Sequence, residues 1–360
     1  MLKLIAGALT TILSISPSFI DFSDNPAPKL PIAPINNGVL MLYLPQAPSE
    51  PLIIDKGGVS EPPEPEPEPE PPKLPVFSRN IHVQREDLSE FMSKDGFVVR
   101  RTFVRATGSS YIQLDGGGQV RNETKINNTQ MLFESRLLPE FVPERNNEPQ
   151  VLIIHTHTTE SFNPATDGTY DSNYKYRSLD SRGNIVAVGA KIAEEIAKEG
   201  FAVIHDGTLH DYPAFSGAYK RSADTIKAIL DEFPSIKVIL DIHRDAIESE
   251  NKAPVAAIAD INGRDAAQIM IISPADNGEW DVPDFMKNFR FASRLQTRIE
   301  TDSPGLARAL LLQYCNYNLH LSQGSLLVEV GSHGNTLEQA LYAGELFGKS
   351  VGKLLSELAA

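Results

Sequence analysis

Two histidines, His155 and His157, stand one residue apart directly after the apolar run Val151-Leu152-Ile153-Ile154, and a carboxylate, Glu160, follows three positions later. A further histidine, His243, ends the run KVILDI, and Glu329 follows SLLV. Two imidazoles and a carboxylate, with a fourth position open to water, make up a catalytic zinc site. Zinc in such a site polarises a carbonyl and lowers the pKa of water toward about 7. Hydrolysis then needs a second carboxylate, which takes the proton of water and hands it to the leaving amine. Glu329 is the candidate, because a solitary carboxylate at the end of a buried strand is costly unless it is paired or functional. Any one histidine at a strand end is ordinarily structural. The coincidence of His155, His157, His243 and Glu329 at corresponding ends is what points to a site. His205, His210, His320 and His333 are expected to be structural or peripheral, and His82 solvated. The single cysteine, Cys315, excludes an intramolecular disulfide and a multi-thiolate metal centre, and reads as packing.

Positioning these residues requires strands that end at one edge. VLII, FAVI, KVILDI, AQIMIIS and SLLVEV are apolar runs of strand length, suited to burial on both faces. Helical stretches alternate with them. Val188, Ile192 and Ile196 mark one helix opened by Asn184 and stopped by Gly200, and Ile226, Ile229, Leu230 and Phe233 mark a second. A long helix runs from Pro283 to about Asp302, and Asn335 or Thr336 caps a last one. Strands alternating with helices predict an α/β layer fold with a mostly parallel sheet flanked by helices. Ligands bind such sheets beyond the C-terminal ends of the strands, which is where the histidines and Glu329 fall. This domain is expected over 149–360.

The rest of the chain reads differently. Met1-Leu2-Lys3 and the apolar stretch after it (1–20) read as a signal peptide or an uncleaved signal anchor. Residues 21–75 read as an extended linker. It includes the Glu-Pro run EPPEPEPEPEPPKLP, stiff in polyproline II at about 3.1 Å per residue. Residues 76–148 are short β-rich runs broken by Gly and Asn, expected to form a small mixed stalk region with a helix at Arg85–Lys94. The 33 basic and 47 acidic residues leave a net charge of 33 − 47 = −14. That balance argues against a nucleic-acid partner, which needs a basic face.

The blocks HTHTTESF at His155, GNIVAVGAKIAEEI at Gly183, HDYPAFSGAYKRS at His210, DIHRDA at Asp241 and LLVEVGSHGNTLEQA at Leu326 occur in order. Together they resemble the stage II sporulation protein P family, a branch of the zinc-dependent N-acetylmuramoyl-L-alanine amidases. The resemblance covers about 151–355 and implies an amidase-like catalytic domain. The implied enzyme is membrane-anchored with its catalytic domain outside the cytoplasm. It cuts the amide between muramic acid and the first stem-peptide residue of peptidoglycan during septal remodelling or engulfment. Cleavage of peptide cross-links and work beside stage II sporulation proteins D and M are implied as well.

Carried over by motif, the resemblance makes His243 a zinc ligand and Glu329 the catalytic glutamate. It places the other zinc histidine in His155-Thr156-His157. His155 is favoured because it ends the strand directly, leaving His157 as an alternative ligand or a group orienting substrate. Where the wider amidases carry the zinc carboxylate this chain has Asn184, so Glu160 is the nearest replacement. Arg244 and Arg221 are candidate clamps for substrate carboxylates. Two other readings stand beside this one: a different zinc peptidase acting on stem peptides, and a degenerate wall-binding module.

Overall fold

Val151-Leu152-Ile153-Ile154 has no polar side chain, so a strand made of it must be covered on both faces, and all four residues are fully buried. The computed structural model describes residues 74–359 apart from Met92. The expected anchor (1–20) and all of the 21–75 linker except Leu74 and Pro75 lie outside the described residues. Among the described residues no helix is long and apolar enough to cross a membrane.

In chain order the elements begin with β1 (Val76–Arg79), β2 (Gly96–Phe97), β3 (Val99–Arg101), β4 (Tyr111–Gln113), β5 (Gln119–Asn122) and the short helix α1 (Asn128–Glu134). They continue with β6 (Val151–Ile154), β7 (Thr169–Tyr170), α2 (Ile185–Lys198), β8 (Val203–Asp206), α3 (Ala218–Glu232) and β9 (Val238–Asp245). Then come β10 (Val255–Ile261), β11 (Arg264–Ala267), β12 (Ile269–Ala275), α4 (Phe285–Asp302), β13 (Leu310–Tyr314), β14 (Gly324–Ser332) and α5 (Leu337–Leu358). Nine strands form one sheet in the order β1-β8-β6-β9-β14-β12-β13-β5-β4. Neighbours pair in parallel except at β12–β14 and β4–β5. The expected α/β fold with a mostly parallel sheet and flanking helices is therefore what the chain adopts.

The two-residue period of a strand sorts side chains between the faces. Val151 and Ile153 of β6, Val203 of β8 and Leu240 and Ile242 of β9 join the large core under α2, α4 and α5. Leu152, Ile154, Ile204 and Ile239 point the other way, onto Ile226 and Ile229 of α3. Burying each such side chain contributes about 1.5–3 kcal/mol. The α2 and α5 axes approach closely because Gly344, Gly348 and Gly352 repeat every fourth residue on one face of α5. A Cβ at Gly348 would lie 2.8 Å from the Ile192 carbonyl oxygen. Both helices start as their sequences indicate. The Asn184 side chain accepts the Val186 N–H, and Thr336 with Gln339 forms a capping box.

Residues 76–148 do not stand apart as a stalk. β1 is an edge strand of the main sheet beside β8, β5 and β4 close the opposite edge, and β3 pairs with β10. Among the described residues of 85–94 no helix forms. That stretch spends its polar groups on the 171–181 loop instead: Glu86 accepts the Leu179 N–H at 2.7 Å, and the Ser93 N–H donates to Asp171.

Candidate active site

β6, β9 and β14 run parallel and adjacent, so their C-terminal ends open on one edge. On β9 the α3-facing positions read Ile239, Asp241, His243. The apolar residue lies under α3, and the two polar ones emerge toward the edge. Glu329 of β14 is in register with His243, on a neighbouring strand about 4.8 Å away. The strand β6 stops at Ile154, and the turn after it carries His157 and Glu160 back over the same face.

There the rings of His157 and His243 lie edge to face, 5.3 Å apart. Glu160 Oε2 sits 3.5 Å from His243 Nδ1 and accepts the Arg244 N–H at 3.1 Å. On the other side of the imidazole, Asp241 Oδ1 lies 2.9 Å from His243 Nε2, and the Thr156 N–H donates to the same oxygen at 2.8 Å. Beside this ion-paired imidazole, two atoms are buried without a hydrogen bond: His157 Nδ1 and Glu329 Oε2. Buried polar groups are seldom left so.

The charges are arranged to differ. Burial works to raise Glu160, but the Arg244 guanidinium and His243 outweigh it and hold the carboxyl at about 2. Burial alone dominates at Glu329 and pushes its carboxyl up to about 8. His243 is held well above the usual imidazole range despite burial, because it sits between Asp241 and Glu160. One carboxylate stays ionised, and the other exchanges a proton near neutrality. That is the division of labour by which ligand and acid–base roles separate.

His155, favoured from sequence as the first ligand, is placed elsewhere. It shares the face of Val151 and Ile153, under α2 rather than α3. Its Nδ1–H donates to the Ile242 carbonyl at 2.9 Å, so in the neutral ring Nε2 accepts from His205 Nε2–H at 3.1 Å. With both nitrogens engaged, it has none to offer a metal. Gly189 of α2 closes over the pair, and a Cβ there would lie 2.5 Å from His155 Nε2. It is the other histidine of the pair, His157, that meets His243.

The two arginines expected to clamp substrate are both engaged inside the protein. Arg221 donates to the carbonyls of His210, Ala214 and Ser216, tying the 210–216 loop to α3. Arg244 is buried and donates to the Ser161 and Tyr176 carbonyls. Cys315 is buried among Ile272, Leu319 and Leu327, where burial lifts its thiol to about 12.

Four participants were not singled out in the sequence. Asp241 was recoverable, since two residues before His243 means the same face of the strand. Tyr219 of α3 sets its ring edge-on to His157 at 5.5 Å, and burial together with the charges of Asp241, Glu329 and Glu160 raises its phenol. Phe215 stacks on His157 at 4.5 Å, and Arg177 lies over Phe215 at 5.1 Å. These three come from loop and helix segments whose approach no local pattern announces.

Zinc in a site of this kind takes imidazole nitrogens and carboxylate oxygens in a tetrahedron. The 3.5 Å between His243 Nδ1 and Glu160 Oε2 is too long for a hydrogen bond. It is close to the ~3.3 Å edge of a tetrahedron with bonds of about 2.0–2.1 Å. His157 adds an unpartnered ring nitrogen. Among the described residues, no group of three or more His, Cys, Asp or Glu side chains stands where together they could hold a metal ion. The residue types and this one edge fit.

The parallel-stranded α/β core thus brings paired imidazoles and carboxylates together at its strand ends. The model of the stage II sporulation protein P family matches residues 89–351, and the chain belongs to that family. The stage II sporulation protein P of Bacillus subtilis (strain 168) is 26% identical over 200 residues, 52% of this chain and 47% of that protein. The chain thus matches about half the length of this curated relative. Among solved structures, the CwlD amidase of Clostridioides difficile in complex with the GerS lipoprotein is 14% identical, with a TM-score of 0.38 over 58% of this chain and 98% of that one. The N-acetylmuramoyl-L-alanine amidase AmiC2 of Nostoc punctiforme is 14% identical, with a TM-score of 0.35 over 59% and 99%. Both likenesses are distant.

Proposed function

We propose that this chain is a peptidoglycan hydrolase of sporulation that cleaves the amide between N-acetylmuramic acid and the L-alanine of the stem peptide. The reading is carried by one observation: His157, His243, Glu160 and Glu329 meet at the C-terminal edge of β6, β9 and β14 with buried, unpartnered atoms among them. His157, His243 and Glu160 would hold zinc. Asp241 would orient His243 through its other ring nitrogen, as carboxylates do behind metal-bound imidazoles. When bound, zinc supplies Lewis acidity to the scissile carbonyl and to water. Glu329 takes the proton of the attacking water and delivers it to the alanine nitrogen as the C–N bond breaks, giving a lactyl carboxylate and a free amine. Its raised pKa lets it hold and release that proton near neutral pH.

Peptidoglycan is then the substrate, with stage II sporulation proteins D and M as partners. The N-terminal segment would anchor the enzyme at the cell membrane with its catalytic domain outside the cytoplasm. The test is to measure zinc in the purified full chain and to identify its products on purified peptidoglycan by mass spectrometry. One zinc per chain and stem peptides beginning with a free L-alanine amine are expected. Cut cross-links with intact muramoyl amides would make it a peptidase instead. No metal and no cleavage would leave a wall-binding module.

A further inference from the structure

Next to His157 a cleft of 310 Å³ opens between the 210–216 loop, the 177–179 segment and Glu86. That volume is at the small end of the ~300–1,000 Å³ typical of ligand pockets. It suits a few residues of peptide and not a glycan strand. One wall is Arg177, whose guanidinium is fixed on one edge and partly exposed on the other. Its Nη1 donates to Asp211 at 2.7 Å, its Nη2 lies 3.9 Å from Glu160, and its side chain is 34% exposed. Its Nε and Nη2 carry no hydrogen bond among the described residues. Asp211 is not available to a ligand. Its carboxylate, with no exposed surface, already accepts from the N–H and hydroxyl of Thr159 and from Arg177. Glu86, which also lines the cleft, uses one oxygen to accept the Leu179 N–H, two residues along the chain from Arg177, and its second oxygen has no partner among the described residues. The cleft therefore offers one free cationic edge, on Arg177 near the reacting centre, and one free carboxylate oxygen, on Glu86.

We propose that this cleft receives the peptide limb of the substrate. Arg177 would bind a carboxylate close to the cleaved bond, and Glu86 an ammonium. This rests on the peptidoglycan reading. A muramoyl sugar carries no ammonium, whereas a stem peptide carries an acidic second residue and, in its third residue, a side-chain amine. Arg177 is well placed for selection because it touches both the cleft and, through Phe215, the ring of His157. A carboxylate seated on it lies beside the reacting centre.

The test is a binding titration of the full chain with L-alanyl-D-glutamyl-diamino-acid tripeptides that differ only in the glutamate α-carboxylate, free or amidated. A third peptide has the side-chain amine acetylated. The free carboxylate is expected to bind about tenfold more tightly than the amide, the worth of one charge-assisted hydrogen bond. Arg177→Lys keeps an ammonium for Asp211 but removes the free fork, and is expected to reduce that preference to less than about threefold. Glu86→Gln should erase the preference for the free amine while leaving that for the carboxylate. Equal binding of carboxylate and amide by the unaltered chain would overturn the assignment, as would an Arg177→Lys chain that keeps the full preference. Because the readout is binding, a chain that cleaves nothing yet discriminates these peptides would remove the hydrolase reading and not the subsite.

Discussion

The same residue types stand on both faces of the sheet at its C-terminal edge, and they are treated in opposite ways. Under α2, His155 and His205 share a proton between ring nitrogens, His155 donates to a backbone carbonyl, and Gly189 seals the pair. Under α3, His157 keeps an unpartnered nitrogen, and the two nitrogens of His243 face the carboxylates of Glu160 and Asp241. An imidazole whose hydrogen bonds are satisfied is part of the scaffold. A leftover nitrogen alone does not make a site, since His205 Nδ1 is also buried without a partner; on the α3 side the imidazoles stand among carboxylates. The distinction is made by hydrogen bonding and by strand parity, not by residue type.

The sharpest way to break this comparison is to remove one histidine from each face. His157→Ala is expected to lose both bound zinc and hydrolysis, with little change in melting temperature, because the residue supports no backbone group. His155→Ala should keep its metal and lose about 1–3 kcal/mol of stability, since the Ile242 carbonyl and His205 lose their partner. Metal analysis and thermal unfolding of the two variants read this directly. Retained zinc in His157→Ala, or lost zinc in a folded His155→Ala, would reverse the roles.

Next in size is Glu329→Gln. It is nearly isosteric and removes the only carboxyl in the cluster that burial lifts toward neutrality, to about 8. Turnover should fall by roughly 10²–10⁴ while metal content stays unchanged. Near-normal rates would leave Glu329 without a part in proton transfer. A smaller effect is expected for Asp241→Asn, which keeps the shape beside His243 but removes the charge. Metal affinity should drop about 10–100-fold, measurable by competition with a chelator, and unchanged affinity would make Asp241 a purely structural partner of Thr156.

How much of this could be read from sequence follows from the same parity. The apolar runs, their helices and the edge on which they end were legible, because burial on two faces and 3.6-residue spacing are local patterns. The caps at Asn184 and Thr336 were legible for the same reason. Which of His155 and His157 turns toward His243 was not. The answer depends on Ile154 pairing with Asp241, a register between strands 87 residues apart, and on the turn that follows β6. Nor could sequence show that Arg221 and Arg244 spend their donors on carbonyls while Arg177 keeps some free, since those contacts join segments distant in the chain. β1, β4 and β5 were too short and too mixed to announce that they extend the main sheet, and β3 that it pairs with β10. The partners of β1, β3 and β5, namely β8, β10 and β13, lie far along the chain.

The smallest effect separates the two faces by pH. Burial holds His205 well below the usual imidazole value of 6.5, and His155 is lowered to about 4 for the same reason. The folded chain therefore keeps both rings neutral where the unfolded chain would protonate them. Between about 6.5 and the folded values the unfolded state binds more protons, so stability rises with pH in that window. The contribution is complete above about 6.5 and drains away as the pH falls toward 4. Melting temperature should accordingly decline on acidification from pH 7 to pH 5. His205→Gln can still donate an N–H to His155 but cannot itself titrate, so its decline should be shallower. An equally steep decline in that variant would place the acid sensitivity elsewhere than in the α2-side pair.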